Sequence, residues 1–142
     1  MKTLLLSFAL LVVAPFAFAG QDTSVDSFKL IHTADLAPLV SQGPPAVYVF
    51  DANGNDTRKE EGTIPGAVLL KSHDKYALSV LPQAKDSKLV FYCANEECTA
   101  SHAAAKRAVK AGYTDVSVLS DGIMGWKKNG QKADKFKTKK AA

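Results

Sequence analysis

Residues 88–109, KLVFYCANEECTASHAAAKRAV, decide the fold. Lys88–Tyr92 is a short, nearly continuous apolar run, the pattern of a strand buried on both faces. Thr99–Ala111 carries small or apolar residues at Ala100, Ala103, Ala104 and Val109. Lys106, Arg107 and Lys110 fall late in that stretch, where they suit the negative end of a helix. Gly112 is a natural helix stop. Cys93 therefore stands where a buried strand becomes a loop leading into a helix. Ligands of open parallel sheets bind beyond the carboxyl ends of strands. The unpaired N–H groups and positive end of a helix start favour an anion there. A thiol held in that field loses its proton more easily and becomes a nucleophile. The plain alternative is a small buried hydrophobe, which free cysteines often are.

Moving outward, Ala46–Phe50 (AVYVF) is a second apolar run, closed by Asp51 and a turn cluster through Asp56. Phe28–Ile31 reads as a short edge strand. A helix is expected over Ala34–Ser41, capped by Thr33 or Asp35, with Pro38 near its first turn. Thr57–Glu61 suggests one helical turn. Gly62–Ala67 is a turn-rich connector into a short strand at Val68–Leu70. Ser72–Leu81 reads as loop with a short helix. After Gly112, Val116–Leu119 is a last strand, Asp121-Gly122 turns the chain, and Ile123–Lys128 forms a short helix with Trp126 inward. Trp126, Tyr92 and Phe91 are assigned to the core. Strands alternating with helices predict an α/β fold with a mainly parallel sheet.

The first residues show a different pattern. Lys2, an apolar run over Leu4–Phe16 and the small-x-small Ala17-Phe18-Ala19 read as a signal peptide over residues 1–19. The apolar run is too short for a membrane span. Export, to the periplasm, is therefore expected, with no span left after cleavage. The 142-residue chain then divides into residues 20–27 as a flexible lead-in, one domain at 28–130, and a basic, disordered tail at 131–142. About 120 residues survive cleavage, enough for one core. The net charge of +4 is concentrated in the tail, since seven lysines and one aspartate lie from Lys127 onward. Residues 20–126 hold ten basic and thirteen acidic residues, so the domain itself is acidic. Without a basic folded face, nucleic-acid binding is not expected.

Several motifs coincide in order and spacing. Val47–Asp51 is followed by Gly62-Thr63-Ile64-Pro65-Gly66-Ala67, then Leu89–Cys93, Gly112-Tyr113, and Asp121-Gly122-Ile123-Met124-Gly125-Trp126. Over about residues 28–130 the chain resembles a single rhodanese-like domain. The resemblance implies a five-stranded, mainly parallel sheet flanked by helices. It also implies sulfur transfer: Cys93 takes a sulfane sulfur from thiosulfate or another small donor, becomes a persulfide, and passes the sulfur to a thiol or to cyanide. The loop Ala94, Asn95, Glu96, Glu97, Cys98, Thr99 would cradle the negative sulfur with its amides, as an oxyanion hole cradles oxygen. Thr99 or Ser101 would open the helix. Asp51 and Arg58 would support the loop.

The chain also departs from the family pattern. Glu96 and Cys98 stand where Gly and Arg are frequent, Asn53 where Arg often follows the Asp, and Thr63 where the motif has His. Two carboxylates without a loop cation should repel an anionic donor, unless both point into water. Cys98, five residues after Cys93, is a candidate resolving thiol, and an oxidising compartment permits a disulfide between the two. Three readings follow: a sulfurtransferase, a thiol–disulfide protein cycling Cys93 and Cys98, and a silent binding domain on the same fold. His102 and His73 do not complete a metal pattern with the cysteines, so neither metal nor other cofactor is expected. Phosphoryl transfer would need an arginine at position 99, which is Thr. No protein partner is identified by the sequence.

Overall fold

The computed structural model describes residues 27–137. The expected signal peptide, nearly all of the lead-in and the tail beyond residue 137 lie outside them. Five strands, β1 (Lys29–Ile31), β2 (Tyr48–Asp51), β3 (Val68–Leu69), β4 (Lys88–Tyr92) and β5 (Asp115–Leu119), form one sheet in the order β1-β5-β4-β2-β3. Every pairing is parallel. β4 is the middle strand, with Asp51 of β2 opposite Tyr92 and Val118 of β5 opposite Phe91.

The helices are α1 (Thr33–Val40), α2 (Asn55–Glu61), α3 (Ala100–Lys110) and α4 (Gly122–Lys128). Side chains of β4 alternate between two cores. Leu89 and Phe91 face one, built from α3 through Ala104, Ala105 and Ala108 and from Tyr76. Val90 and Tyr92 face the other, with Leu36 of α1 and Ile123 and Trp126 of α4. The buried alanines let α3 pack directly on the sheet's Leu89, Phe91, Val116 and Val118. Ala111 and Gly112 end α3 as expected. Gly112 has φ +92°. Its N–H donates to the Val109 carbonyl at 2.9 Å, and the Tyr113 N–H donates to that of Ala108 at 3.2 Å. This double bond pattern requires a left-handed residue at that point.

Three expectations change. α1 begins at Thr33 with His32 as its cap residue, and Asp35 accepts the His32 N–H at 2.9 Å from inside the first turn. Pro38 then falls in the second turn, where its missing N–H leaves a carbonyl without its helical donor. Burial of Leu36 holds this short helix on the sheet regardless. The segment expected as loop and short helix contains a single 3-10 turn, Leu78–Val80. The stretch 131–137, expected to be unstructured, lies against the domain. Thr63 and Asp134 exchange backbone hydrogen bonds of 2.9 and 2.8 Å, and Trp126 Nε1 donates to the Lys132 carbonyl at 2.9 Å. Backbone pairing and an indole donor, neither visible in hydrophobic periodicity, hold this basic segment.

Candidate active site

Cys93 is the first residue past β4 and is 1% exposed. Its placement begins beneath the loop. Asp51, fully buried at the end of β2, accepts the Tyr92 hydroxyl at 2.9 Å and the Asn53 N–H at 2.7 Å. Burial, then the Asp51 charge, push the Tyr92 phenol far above its ordinary range, so it remains a donor. The same hydroxyl accepts the Ile64 N–H at 3.0 Å. Arg58, buried, sits 3.4 Å from the Asp51 carboxylate and donates to the carbonyls of Asp51 and Leu70, both at 3.0 Å. The Ala52 N–H donates to the Tyr92 carbonyl at 2.9 Å. Asp51 and Arg58 thus fix the strand ends beside Cys93. Among the described residues neither bonds to the loop at 94–99, so their support is of the floor, not of the loop.

The loop is held from the other side by α4. Its first amides lack helical partners, and two of them find carbonyls here: Ile123 N–H donates to Cys93 at 2.9 Å and Met124 N–H to Ala94 at 3.0 Å. Gly122 permits the approach. It has φ +62°, and a Cβ there would lie 2.5 Å from the Ala94 carbonyl carbon and oxygen. Asp121 then ties this turn to α1. Its carboxylate accepts the Thr33 N–H and hydroxyl, both at 2.7 Å, and meets His32 Nδ1 at 2.7 Å. Burial would raise the Asp121 carboxyl, but the hydrogen bonds from His32 and Thr33 outweigh it and hold the group below its ordinary range. The bond to Asp121, then its charge, hold the His32 imidazole above its usual value.

Cys93 and Cys98 are joined as a disulfide, with Cα atoms 6.2 Å apart. The Cys93 sulfur lies 3.2 Å from the Ser101 hydroxyl, which is the donor because a disulfide sulfur carries no proton. The Cys98 carbonyl oxygen is 3.1 Å from the same sulfur. Two loop amides expected around the sulfur serve other acceptors in this oxidised form. Glu97 N–H donates to the Asn95 side chain at 3.1 Å and Cys98 N–H to the Asn95 carbonyl at 3.2 Å. A neutral disulfide offers them no charge to answer. Glu96 and Glu97 are exposed, and Cys98 is partly so. Asn95, Glu96, Glu97, Asp121, Met124 and Lys128 line an open cleft beside the loop.

Thr99 precedes α3 with helical backbone and no side-chain cap. Ser101, weighed in the sequence only as a cap, is 2% exposed and turned to the sulfur. His32 was not marked by sequence, Asp121 was read only as a turn and motif residue, and Tyr92 only as core. A serine in the first turn after a nucleophilic loop was the readable signal for Ser101. The His32–Asp121 pair spans 89 residues and left none. Phe28 packs on His102, with ring centroids 5.3 Å apart, and His73 is exposed. Among the described residues no group of three or more His, Cys, Asp or Glu could hold a metal. No described helix is long and apolar enough to cross a membrane.

Comparison with curated proteins gives no match. A protein of unknown function from Rhodopseudomonas palustris, described as a possible tyrosine phosphatase, is 26% identical, with 75% of this chain and 85% of that one covered and a TM-score of 0.63. The BH2092 protein of Bacillus halodurans is 24% identical, with coverages of 80% and 86% and a TM-score of 0.63. A rhodanese-like domain from Anabaena is 22% identical, with coverages of 82% and 88% and a TM-score of 0.60. The latter two likenesses show the fold alone. The Rhodanese-like domain pattern matches residues 33–129. That span opens with α1, which Asp121 anchors, and closes one residue past α4, which holds the Cys93 loop, so the chain belongs to the rhodanese-like domain family.

Proposed function

We propose that this protein is an exported sulfurtransferase in which Cys93 carries the sulfur and Cys98 discharges it. The observation that carries the reading is the pairing of the two sulfurs at the carboxyl end of the middle strand. The reduced Cys93 thiolate attacks the outer sulfur of thiosulfate, giving a Cys93 persulfide anion and sulfite. Cyanide takes that sulfur as thiocyanate and restores the thiolate. Alternatively, the Cys98 thiol attacks the Cys93 sulfur of the persulfide. The disulfide forms, and the outer sulfur leaves as hydrosulfide with the Cys98 proton. Ser101 donates to the Cys93 sulfur and favours its charged form. Amides of Ala94–Thr99, released from other acceptors, would then serve the persulfide charge.

A second reading is favoured by the same disulfide and by the acidic loop. Cys93 and Cys98 would exchange electrons with other dithiols and never carry a sulfane sulfur. Closing a loop of only five residues' separation contributes roughly 2 kcal/mol to stability, so the fold should survive reduction and the bond is free to cycle. The phosphatase description of the Rhodopseudomonas palustris neighbour does not carry over to this loop, where Thr99 stands in place of a closing arginine.

One experiment separates these. The reduced protein is incubated with thiosulfate, polysulfide or another sulfane donor, and its intact mass is read after rapid alkylation. One added sulfur on Cys93 of a Cys98→Ser variant, with thiocyanate on adding cyanide, is expected. If no donor leaves a sulfur there while the wild type still cycles between dithiol and disulfide, the transferase reading fails and the redox reading stands. N-terminal sequencing of the protein isolated from its compartment tests export, with a start just after Ala19 expected.

A further inference from the structure

The two joined sulfurs are not equivalent. Cys93 is 1% exposed, covered by the loop, by Ser101 and by its own partner. Its backbone is also fixed, because α4 amides hold the carbonyls of Cys93 and Ala94. Cys98 is partly exposed and lies in the loop. Thiol–disulfide exchange needs an attacking thiolate in line with the sulfur it enters, and the rate also depends on how well the leaving sulfur bears charge. Both requirements select the same direction of attack. Cys98 is the partly exposed residue of the pair and Cys93 the buried one. Displaced from Cys98, Cys93 leaves as a thiolate that the Ser101 hydroxyl, 3.2 Å away, already faces, at the first turn of the eleven-residue α3.

The surroundings of Cys98 also carry charge. Glu96 and Glu97, immediately before it, are exposed. Both line the cleft beside the loop with Asp121, and Lys128 is the one basic residue in that lining. His32 bonds the Asp121 carboxylate of that lining. The carboxylates outnumber the ammonium, so an approaching anion meets an adverse field and a cation a favourable one.

We propose that Cys98, not Cys93, is the sulfur at which a reductant attacks the oxidised protein, and that its acidic setting selects a positively charged thiol. The inference rests on the reading of Cys93 as the working thiol and names how that thiol is released. The first thiolate bonds to Cys98 and breaks the Cys93–Cys98 bond, leaving Cys93 as a thiolate and Cys98 in a mixed disulfide. A second thiolate, free or on the same reductant, attacks the reductant sulfur's bond to Cys98 from its own side, forming the reductant's disulfide and leaving Cys98 as a thiolate. Two electrons pass to the protein, and the reductant's two thiols become one disulfide.

The test uses the oxidised full-length mature protein. It is pulsed with limiting cysteamine, 2-mercaptoethanol or 3-mercaptopropionate, acid-quenched, alkylated and mapped by mass. The adduct is expected on Cys98 and the alkyl group on Cys93. Cysteamine should react severalfold faster than the neutral thiol after correction for thiolate fraction, and mercaptopropionate severalfold slower. High salt should collapse that order. An adduct on Cys93 overturns the assignment, and an absent or inverted charge order overturns the selection. If the mixed disulfide closes too fast to trap, the thiol first released decides. The pulse is then repeated with iodoacetamide already present, so that the first thiol released is capped before the bond can re-form; a capped Cys93 is expected, and a capped Cys98 with the adduct on Cys93 overturns the proposal. None of these readouts involves a sulfane sulfur, so a negative persulfide assay leaves them intact.

Discussion

Ser101 is a buried hydroxyl, and among the described residues its side chain meets the Cys93 sulfur. Its value depends on the charge of that sulfur. A hydroxyl donating to a thiolate stabilises it more than it stabilises a thiol. Ser101→Ala in a Cys98→Ser background should therefore raise the Cys93 pKa by about one unit, roughly 1.4 kcal/mol. The pH profile of its alkylation measures this; an unmoved profile would reduce Ser101 to packing. His32 makes a second residue-scale prediction. Its folded-state pKa lies above the ordinary 6.5, first because of the hydrogen bond to Asp121. The stabilisation it brings is complete below 6.5 and is lost as pH rises through the higher folded value. The urea midpoint of the wild type should fall as pH rises above 6.5, and His32→Gln should flatten that fall. Asp121 works on the acid side, its contribution disappearing only as pH drops through a value below 3.8. Neither effect was readable from sequence, because both depend on partners distant along the chain, brought together by β1 pairing with β5.

At the scale of elements, much was legible. β4 was bounded correctly because an apolar run between a lysine and a cysteine admits little else. The helix after the loop followed from its alanines and its late basic residues, and Gly112 marked its end. What failed was capping. Thr33, Asp35 and Thr99 all have the right side chains to cap, yet the cap residue of α1 is His32 and Thr99 uses only its backbone. Asp121 takes both the amide and the hydroxyl of Thr33, so a tertiary bond replaced the local one. Asp51 and Arg58 were marked in sequence as supports of the loop, whereas they bond to the strand ends beneath it, since residue spacing does not tell the floor of a site from its rim. Gly122 is the sharpest test at this scale. Gly122→Ala would impose a left-handed conformation on alanine and place its Cβ 2.5 Å from the Ala94 carbonyl. A loss of at least about 2 kcal/mol is expected in denaturant unfolding. Cys93 should become more reactive to alkylation in the reduced variant as its loop loosens. Retained stability and reactivity would show that α4 does not hold the loop.

For the molecule as a whole, parallel pairing throughout puts every strand's carboxyl end on one side, and the two cysteines, the His32–Asp121 pair and the Asp51–Arg58 floor all gather there. The alternating pattern of strands and helices placed Cys93 and its loop at that end, but it did not foresee the His32–Asp121 pair or the course of the last described residues. Those residues bear on how the protein should be trimmed for study. A cut after Gly130, where the helical signal ends, would strip Thr63 of both backbone partners and the Trp126 indole of its acceptor. Gly62, at φ +79°, would be left shaped for a carbonyl no longer there, since Asp134 oxygen lies 2.5 Å from where its Cβ would be. Three orphaned polar groups at about 1 kcal/mol each predict a shortened protein weaker by roughly 2–4 kcal/mol in urea than one ending at Lys137. The boundary that preserves this domain therefore lies past the last helix, at a stretch tied down by a bridge, an indole and the methyl of Ala133.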